Sequence, residues 1–273
     1  MKLPALLLGL LLAAGAGAAE PGSPPQLDAR GRAAYQDYLR ADGHRAFVIA
    51  PGGTWAWRSD EDSAERALDA ALDDCRQATP QRCVPYSVDG KPVFDATRWP
   101  TLWGPYVERK AAESAATGIR PGQRFPDLAI VSPAGKPMRL SDLRGSVAVL
   151  HFWGSWCPPC RRELPELQQL TKQLGSKNGI RLVLLQARET IADSRRWAAS
   201  QKLDLPLHDS VPQGEDFTLA NGQRVHDRTI ARAFPTTYVL DRHGIVVFAH
   251  TGPLNGWADT LPFLRDAAAK SGR

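Results

Sequence analysis

The spacing of apolar residues along this 273-residue chain changes period repeatedly, and each change marks an element. Between residues 27 and 98 the runs are short. Leu27 to Leu39 reads as a helix. Ala46-Phe-Val-Ile-Ala50, the turn Pro51-Gly-Gly53 and Thr54-Trp-Ala-Trp-Arg58 predict a β-hairpin. Trp55 and Trp57 alternate on one strand face and are expected in the core or packed between domains. Ser59-Asp-Glu-Asp62 supplies capping residues and early acids for a helix to about Arg76, with Ala64, Ala67, Leu68, Ala71 and Leu72 as its buried stripe. Val84–Val88 and Pro92–Phe94, around Asp89-Gly90, predict two more strands. The order β-β-α-β-β describes a small α+β domain. Residues 99–119 form a connector, with an alanine-rich helix over Tyr106 to Ala116.

From residue 120 to 271 the runs lengthen and alternate. Asp127–Val131 and Pro137–Leu140 read as a hairpin, followed by a helical turn over Ser141–Gly145. Ser146-Val-Ala-Val-Leu-His-Phe-Trp153 is an apolar strand that Gly154-Ser155 breaks. A helix then runs to Leu174, with Leu164, Leu167, Leu170 and Leu174 at helical spacing. Strand Ile180–Gln186, helix Thr190–Gln201 and strand Leu205–His208 follow. Pro235–Leu240 and Ile245–Thr251 form a hairpin across Asp241–Gly244, and a helix over Trp257–Lys270 closes the chain. Such alternation predicts an α/β domain around a central sheet.

Charge narrows the picture little. The formal net charge is +5 and the pI about 9.2, but the basic residues are interspersed with acids. That pattern describes a solvated surface and no nucleic-acid partner. The N-terminus is more informative. Lys2, the apolar stretch Leu3–Leu12 and the small residues Ala13–Ala19 read as an export signal over 1–19, with cleavage after Ala18 or Ala19. A Pro/Gly/Ser linker, 20–26, follows. The mature chain is therefore expected in the periplasm with no stable membrane insertion. An uncleaved N-terminal anchor is the alternative.

The chain has four cysteines. Cys75 and Cys83 lie eight apart in the first domain. In an oxidising compartment they read as a structural disulfide, which would contribute roughly 2–3 kcal/mol on the chain-entropy model. A redox partner for the other pair and a metal pair are the alternatives, although no histidine lies near enough to suit a metal. The other pair sits in Trp156-Cys157-Pro158-Pro159-Cys160, between strand and helix. A C-x-x-C in that context reads as a redox motif. Cys157, at the helix start, would be held as a thiolate by free N–H groups and the helix dipole, making it the attacking sulfur. Cys160, one turn in, would resolve the mixed disulfide. First-turn prolines cost no intrahelical hydrogen bond.

Phe152-Trp-Gly-Ser-Trp-Cys-Pro-Pro-Cys-Arg-Arg-Glu-Leu-Pro165 resembles the active-site signature of the TlpA/ResA-like branch of the thioredoxin family. Ala233-Phe-Pro-Thr-Thr-Tyr-Val-Leu-Asp-Arg-His-Gly-Ile-Val-Val247 resembles that family's second motif. The resemblance covers roughly 120–270. It implies a thioredoxin-like fold, a central mixed sheet flanked by helices. It assigns thiolate tuning or a proton relay to Glu163, a helix kink to Pro165, and a cis bond and substrate contact to Pro235. Phe234, Trp156, Pro158 and Pro159 are the remaining expected substrate contacts. Trp153 and His151 are expected in the core. His208, His226, His243 and His250 carry no assignment.

The function implied is extracytoplasmic thiol–disulfide exchange. Relatives of this kind reduce specific envelope targets, of the cytochrome c maturation or copper-site assembly type, and are recharged by a membrane electron donor of the DsbD/CcdA type. The alternatives are a DsbA-like oxidant or isomerase and a Cu(I)-binding or adaptor protein using the same sulfurs. No resident cofactor or metal is expected beyond the Cys157–Cys160 disulfide and transient Cu(I). Peroxide reduction is disfavoured, because Gly154 stands where peroxiredoxins place Thr or Ser. Residues 209–232 are longer than in most relatives, and Phe217–Ala220 with Gln223–Val225 around Asn221-Gly222 predict an extra hairpin. It either shapes substrate choice or is a passive surface insertion.

Overall fold

The computed structural model describes residues 22–175, 179–212 and 214–272. The export signal expected over 1–19 lies outside the described residues. Helix α1 (Ala29–Arg40) starts where the Asp28 carboxylate accepts the Gly31 N–H, and it buries Ala34, Tyr35 and Tyr38. Strands β1 (His44–Ala50) and β2 (Thr54–Glu61) pair antiparallel. Two of the acids expected to open the next helix, Asp60 and Glu61, belong instead to β2, because β1 still offers Glu61 a partner in His44. The helix, α2 (Ala64–Ala78), is capped by Ser63, whose hydroxyl accepts the Arg66 N–H. Cys75 at its buried face is bonded to Cys83, just before β3 (Val84–Val88). Strand β4 (Lys91–Pro92) stops short of Phe94, which turns inward against the rings of Tyr86 and Trp99. The sheet order is β2-β1-β3-β4.

The connector helix is shorter than its alanine content suggests. Helix α3 spans Arg109–Glu113 only. Tyr106 is drawn away by a 2.8 Å hydrogen bond to Asp266, and Thr117 bridges to Arg124. Connector aromatics tie the two halves together. Trp99 meets Phe263 at 5.4 Å, and Trp103 meets Phe248 and Phe263 at 5.0 and 4.9 Å. Tyr35, Tyr38, Phe47 and Tyr86 thereby join the same buried cluster as Leu164, Leu167 and Trp257. Trp55 and Trp57 pack half-buried against it.

In the second half a short hairpin, β5 (Ala129–Val131) and β6 (Pro137–Arg139), precedes the central strand β7 (Val147–Trp153). Then come α4 (Pro158–Leu174), β8 (Ile180–Gln186), α5 (Ile191–Ser200), β9 (Leu207–His208), β10 (Asp216–Thr218) and β11 (Arg224–His226). Strands β12 (Thr236–Leu240) and β13 (Val246–Thr251) and helix α6 (Leu261–Lys270) finish the chain. The five-stranded sheet runs β13-β12-β7-β8-β9. Strands β7, β8 and β9 are parallel, and β12 is antiparallel to both its neighbours. This is the expected thioredoxin-like mixed sheet.

All seven residues of β7 are buried, because both its faces are covered. Val147, Val149 and Trp153 share a cluster with the leucines of α4 and with Phe263 and Leu264 of α6. Ala148, Leu150 and Phe152, pointing the other way, share one with Leu128, Ile130, Phe217 and Ile230. The period-two alternation thus distributes one strand between two cores. The second core depends on β10, so the 209–232 segment is built into the domain.

Candidate active site

Strand β7 delivers the chain to Gly154-Ser155, and α4 begins at Pro158 with Cys157 as its N-cap. Cys157 and Cys160 are disulfide-bonded, with Cα atoms 5.3 Å apart. The Cys160 N–H points at Cys157 Sγ, 3.3 Å away. Cys157 Sγ also lies 3.5 Å from the Phe234 carbonyl oxygen. Cys157 is 3% exposed and Cys160 is wholly buried, so a partner sulfur reaches only the first.

Three elements shape the approach. Trp156 is 46% exposed, and its Nε1–H donates to the Ala187 carbonyl at 2.9 Å. Its indole folds back over Gly154, where a Cβ would lie 2.2 Å from Nε1. A Thr or Ser at that position would displace the tryptophan. Phe234 meets Trp156 edge-on at 5.5 Å, and the Phe234–Pro235 bond is cis. Pro158 is exposed beside Cys157, and Pro159 is half-buried.

Glu163 occupies the protein interior below the pair, one helical turn past Cys160. Its Oε1 accepts from the Leu254 N–H at 2.5 Å and from Trp257 Nε1–H at 3.1 Å. Its Oε2 is buried with no hydrogen-bond partner among the described residues. Burial pushes its carboxyl up from 4.5 to about 7, against the two hydrogen bonds that favour the anion. Pro165 is accommodated inside the continuous helix α4. His151 is fully buried, with Nδ1 3.0 Å from Thr237 Oγ1 and its ring edge-on to Trp257. Desolvation lowers its pKa to about 3, so it stays neutral.

Several residues at the site have no sequence signature. Glu189 holds the loop before Cys157: Oε1 accepts the Ser155 N–H at 2.8 Å and the Ser194 hydroxyl at 2.6 Å, and Oε2 accepts the Ser155 hydroxyl. Arg188, at φ 60°, meets Asp227 through Nε and Nη2 at 2.7 and 3.0 Å and Glu215 through Nη1 at 2.7 Å. Its guanidinium carbon lies 5.8 Å from the Phe234 ring centre, and that of Arg228 lies 5.7 Å from it. Glu215, Asp227 and Arg228 all belong to the inserted segment. Only their fold-distant partners, Arg188 and Phe234, give them meaning. Among the described residues no group of three His, Cys, Asp or Glu side chains gathers as a metal site. None of the described helices is long and apolar enough to cross a membrane.

Residues 121–249 match the AhpC/TSA family model. The thioredoxin-like protein YneN of Bacillus subtilis is 28% identical over 155 residues, 56% of this chain and 83% of that protein. The thiol-disulfide oxidoreductase ResA of Geobacillus kaustophilus is 30% identical over 138 residues, 50% of this chain and 73% of its own length. Among solved structures, a putative thiol:disulfide interchange protein DsbE from Chlorobium tepidum is 26% identical, with a TM-score of 0.43 over 57% of this chain and all of that one.

Proposed function

Because this chain belongs, through its C-terminal half, to the ResA-like thiol–disulfide oxidoreductases, we propose that it reduces disulfides of specific cell-envelope proteins. Targets of the kind met in cytochrome c maturation or copper-site assembly fit this reading. The observation that carries it is Cys157 at the N-terminus of α4, its Sγ facing the Cys160 N–H. That environment favours a thiolate in the reduced enzyme.

The Cys157 thiolate attacks one sulfur of the substrate disulfide. A Cys157–substrate disulfide forms, and the other substrate sulfur leaves as a thiolate that takes up a proton. Cys160 then loses its proton and attacks Cys157 Sγ. The substrate leaves as a dithiol, and the enzyme keeps the Cys157–Cys160 disulfide; two electrons have passed to the substrate. Glu163, with a pKa near neutrality, suits the role of acceptor for the Cys160 proton. Trp156, Pro158, Pro159 and Phe234 line the approach and, with the buried cis-Pro235 beside them, are assigned to substrate contact. A membrane dithiol donor of the DsbD/CcdA type would restore the reduced pair. A periplasmic location, after export directed by residues 1–19, suits such chemistry.

The reduction potential of the pair, equilibrated in dithiothreitol or glutathione buffers, tests the direction. A value near or below about −270 mV supports a reductant. A value near about −120 mV refutes it and identifies a DsbA-like oxidant. Cys160→Ser should accumulate mixed disulfides with envelope proteins. Stoichiometric Cu(I) on the reduced pair, with no mixed disulfide, would point to copper carriage instead.

A further inference from the structure

We infer that the inserted segment 214–232 makes this site selective for disulfides flanked by acidic residues, with Arg228 as the residue that reads them. The inference rests on the oxidoreductase reading and adds a substrate class to it.

The segment is anchored firmly enough to act as part of the site. Phe217 is buried and meets Phe152 of the central strand at 5.4 Å. Leu219 bridges to Leu128, and the Ala220 N–H donates to the Asp127 carbonyl at 2.7 Å. Ile230 and Ala231 are buried, and the Ile230 carbonyl accepts the Tyr238 hydroxyl. Just after the last of these anchors the chain reaches the cis-proline, where Phe234 lies beside Cys157.

Two arginines lie against the Phe234 ring, but their charges are not equivalent. Arg188 is more than balanced by two carboxylates, Asp227, itself 1% exposed, and Glu215, so it presents no free positive charge. Arg228 is exposed and makes no ion pair among the described residues. One of its nitrogens donates to the Arg232 carbonyl, a neutral acceptor. An aromatic face orients a guanidinium without cancelling its charge. A substrate strand laid along Phe234 therefore meets a held cation beside the exposed apolar face of Trp156. A carboxylate near the substrate half-cystine gains from that cation, and an ammonium is repelled by it.

Matched disulfide peptides with Glu or Lys beside the half-cystine test this, with the rate of exchange at Cys157 followed for each. The reduced wild-type enzyme should favour the acidic peptide by about three- to fivefold at low salt, the range of an exposed ion pair. The preference should shrink as ionic strength rises. Arg228→Lys should keep it, Arg228→Ala should lose it, and Arg228→Glu should favour the basic peptide. Exchange with no acidic preference in wild type, or a preference that survives Arg228→Ala, overturns the inference while leaving the enzyme reading intact. Failure to exchange with either peptide and with a small neutral disulfide would overturn the enzyme reading itself.

Discussion

Glu163→Gln isolates the cost of a buried carboxylate. In the folded chain this group loses its proton near pH 7, against 4.5 ordinarily, because burial opposes the charge. The folded state therefore holds the proton more tightly than the unfolded one. Its stabilising effect is complete below 4.5 and is lost as pH rises through 7. The shift corresponds to about 3 kcal/mol. Glutamine removes the titration but keeps an acceptor oxygen for the Leu254 N–H and Trp257 Nε1–H. It also places an amide where Oε2 now has no partner, at a cost that does not depend on pH. The stability difference, variant minus wild type, should therefore change in favour of glutamine by about 3 kcal/mol between about pH 4 and pH 8. Urea unfolding at a series of pH values, with both disulfides intact, measures it. Other groups titrate in both proteins and cancel in the difference. Parallel curves, or a difference that falls with pH, would refute the assignment of a desolvated, proton-retaining Glu163.

Removing the first-domain disulfide as Cys75→Ala/Cys83→Ala should lower stability by about 2–3 kcal/mol, read by urea unfolding, with exchange at Cys157 retained. Phe217→Ala should cost about 3–5 kcal/mol, because it opens a cavity against Phe152 where a surface insertion would lose almost nothing. Glu189→Ala leaves the Ser155 N–H without its carboxylate and should cost about 1–3 kcal/mol. It should also slow exchange with a model disulfide by loosening the loop before Cys157.

The sequence by itself determined what is local. The continuous apolar run over Ser146–Trp153, the glycine break and the leucine spacing to Leu174 already specify strand, turn and helix, and hence Cys157 at a helix N-terminus. Hairpin turns at Asp89-Gly90, Asn221-Gly222 and Asp241–Gly244 were legible for the same reason: backbone preferences act over a few residues. Local signals misled where a distant partner competed. The acids at 60–62 look like helix-openers, yet pairing with His44 keeps Glu61 in β2. The alanines after Tyr106 look helical, yet Asp266 and Arg124 hold both ends of that segment elsewhere. Only the tertiary structure decided that Glu163 is buried, since desolvation depends on Leu254 and Trp257, some 90 residues away in sequence. It alone brought Glu189 to Ser155, and Arg188, Asp227 and Arg228 around Phe234. Ion pairs and ring contacts act through space, and nothing in their sequence spacing records them.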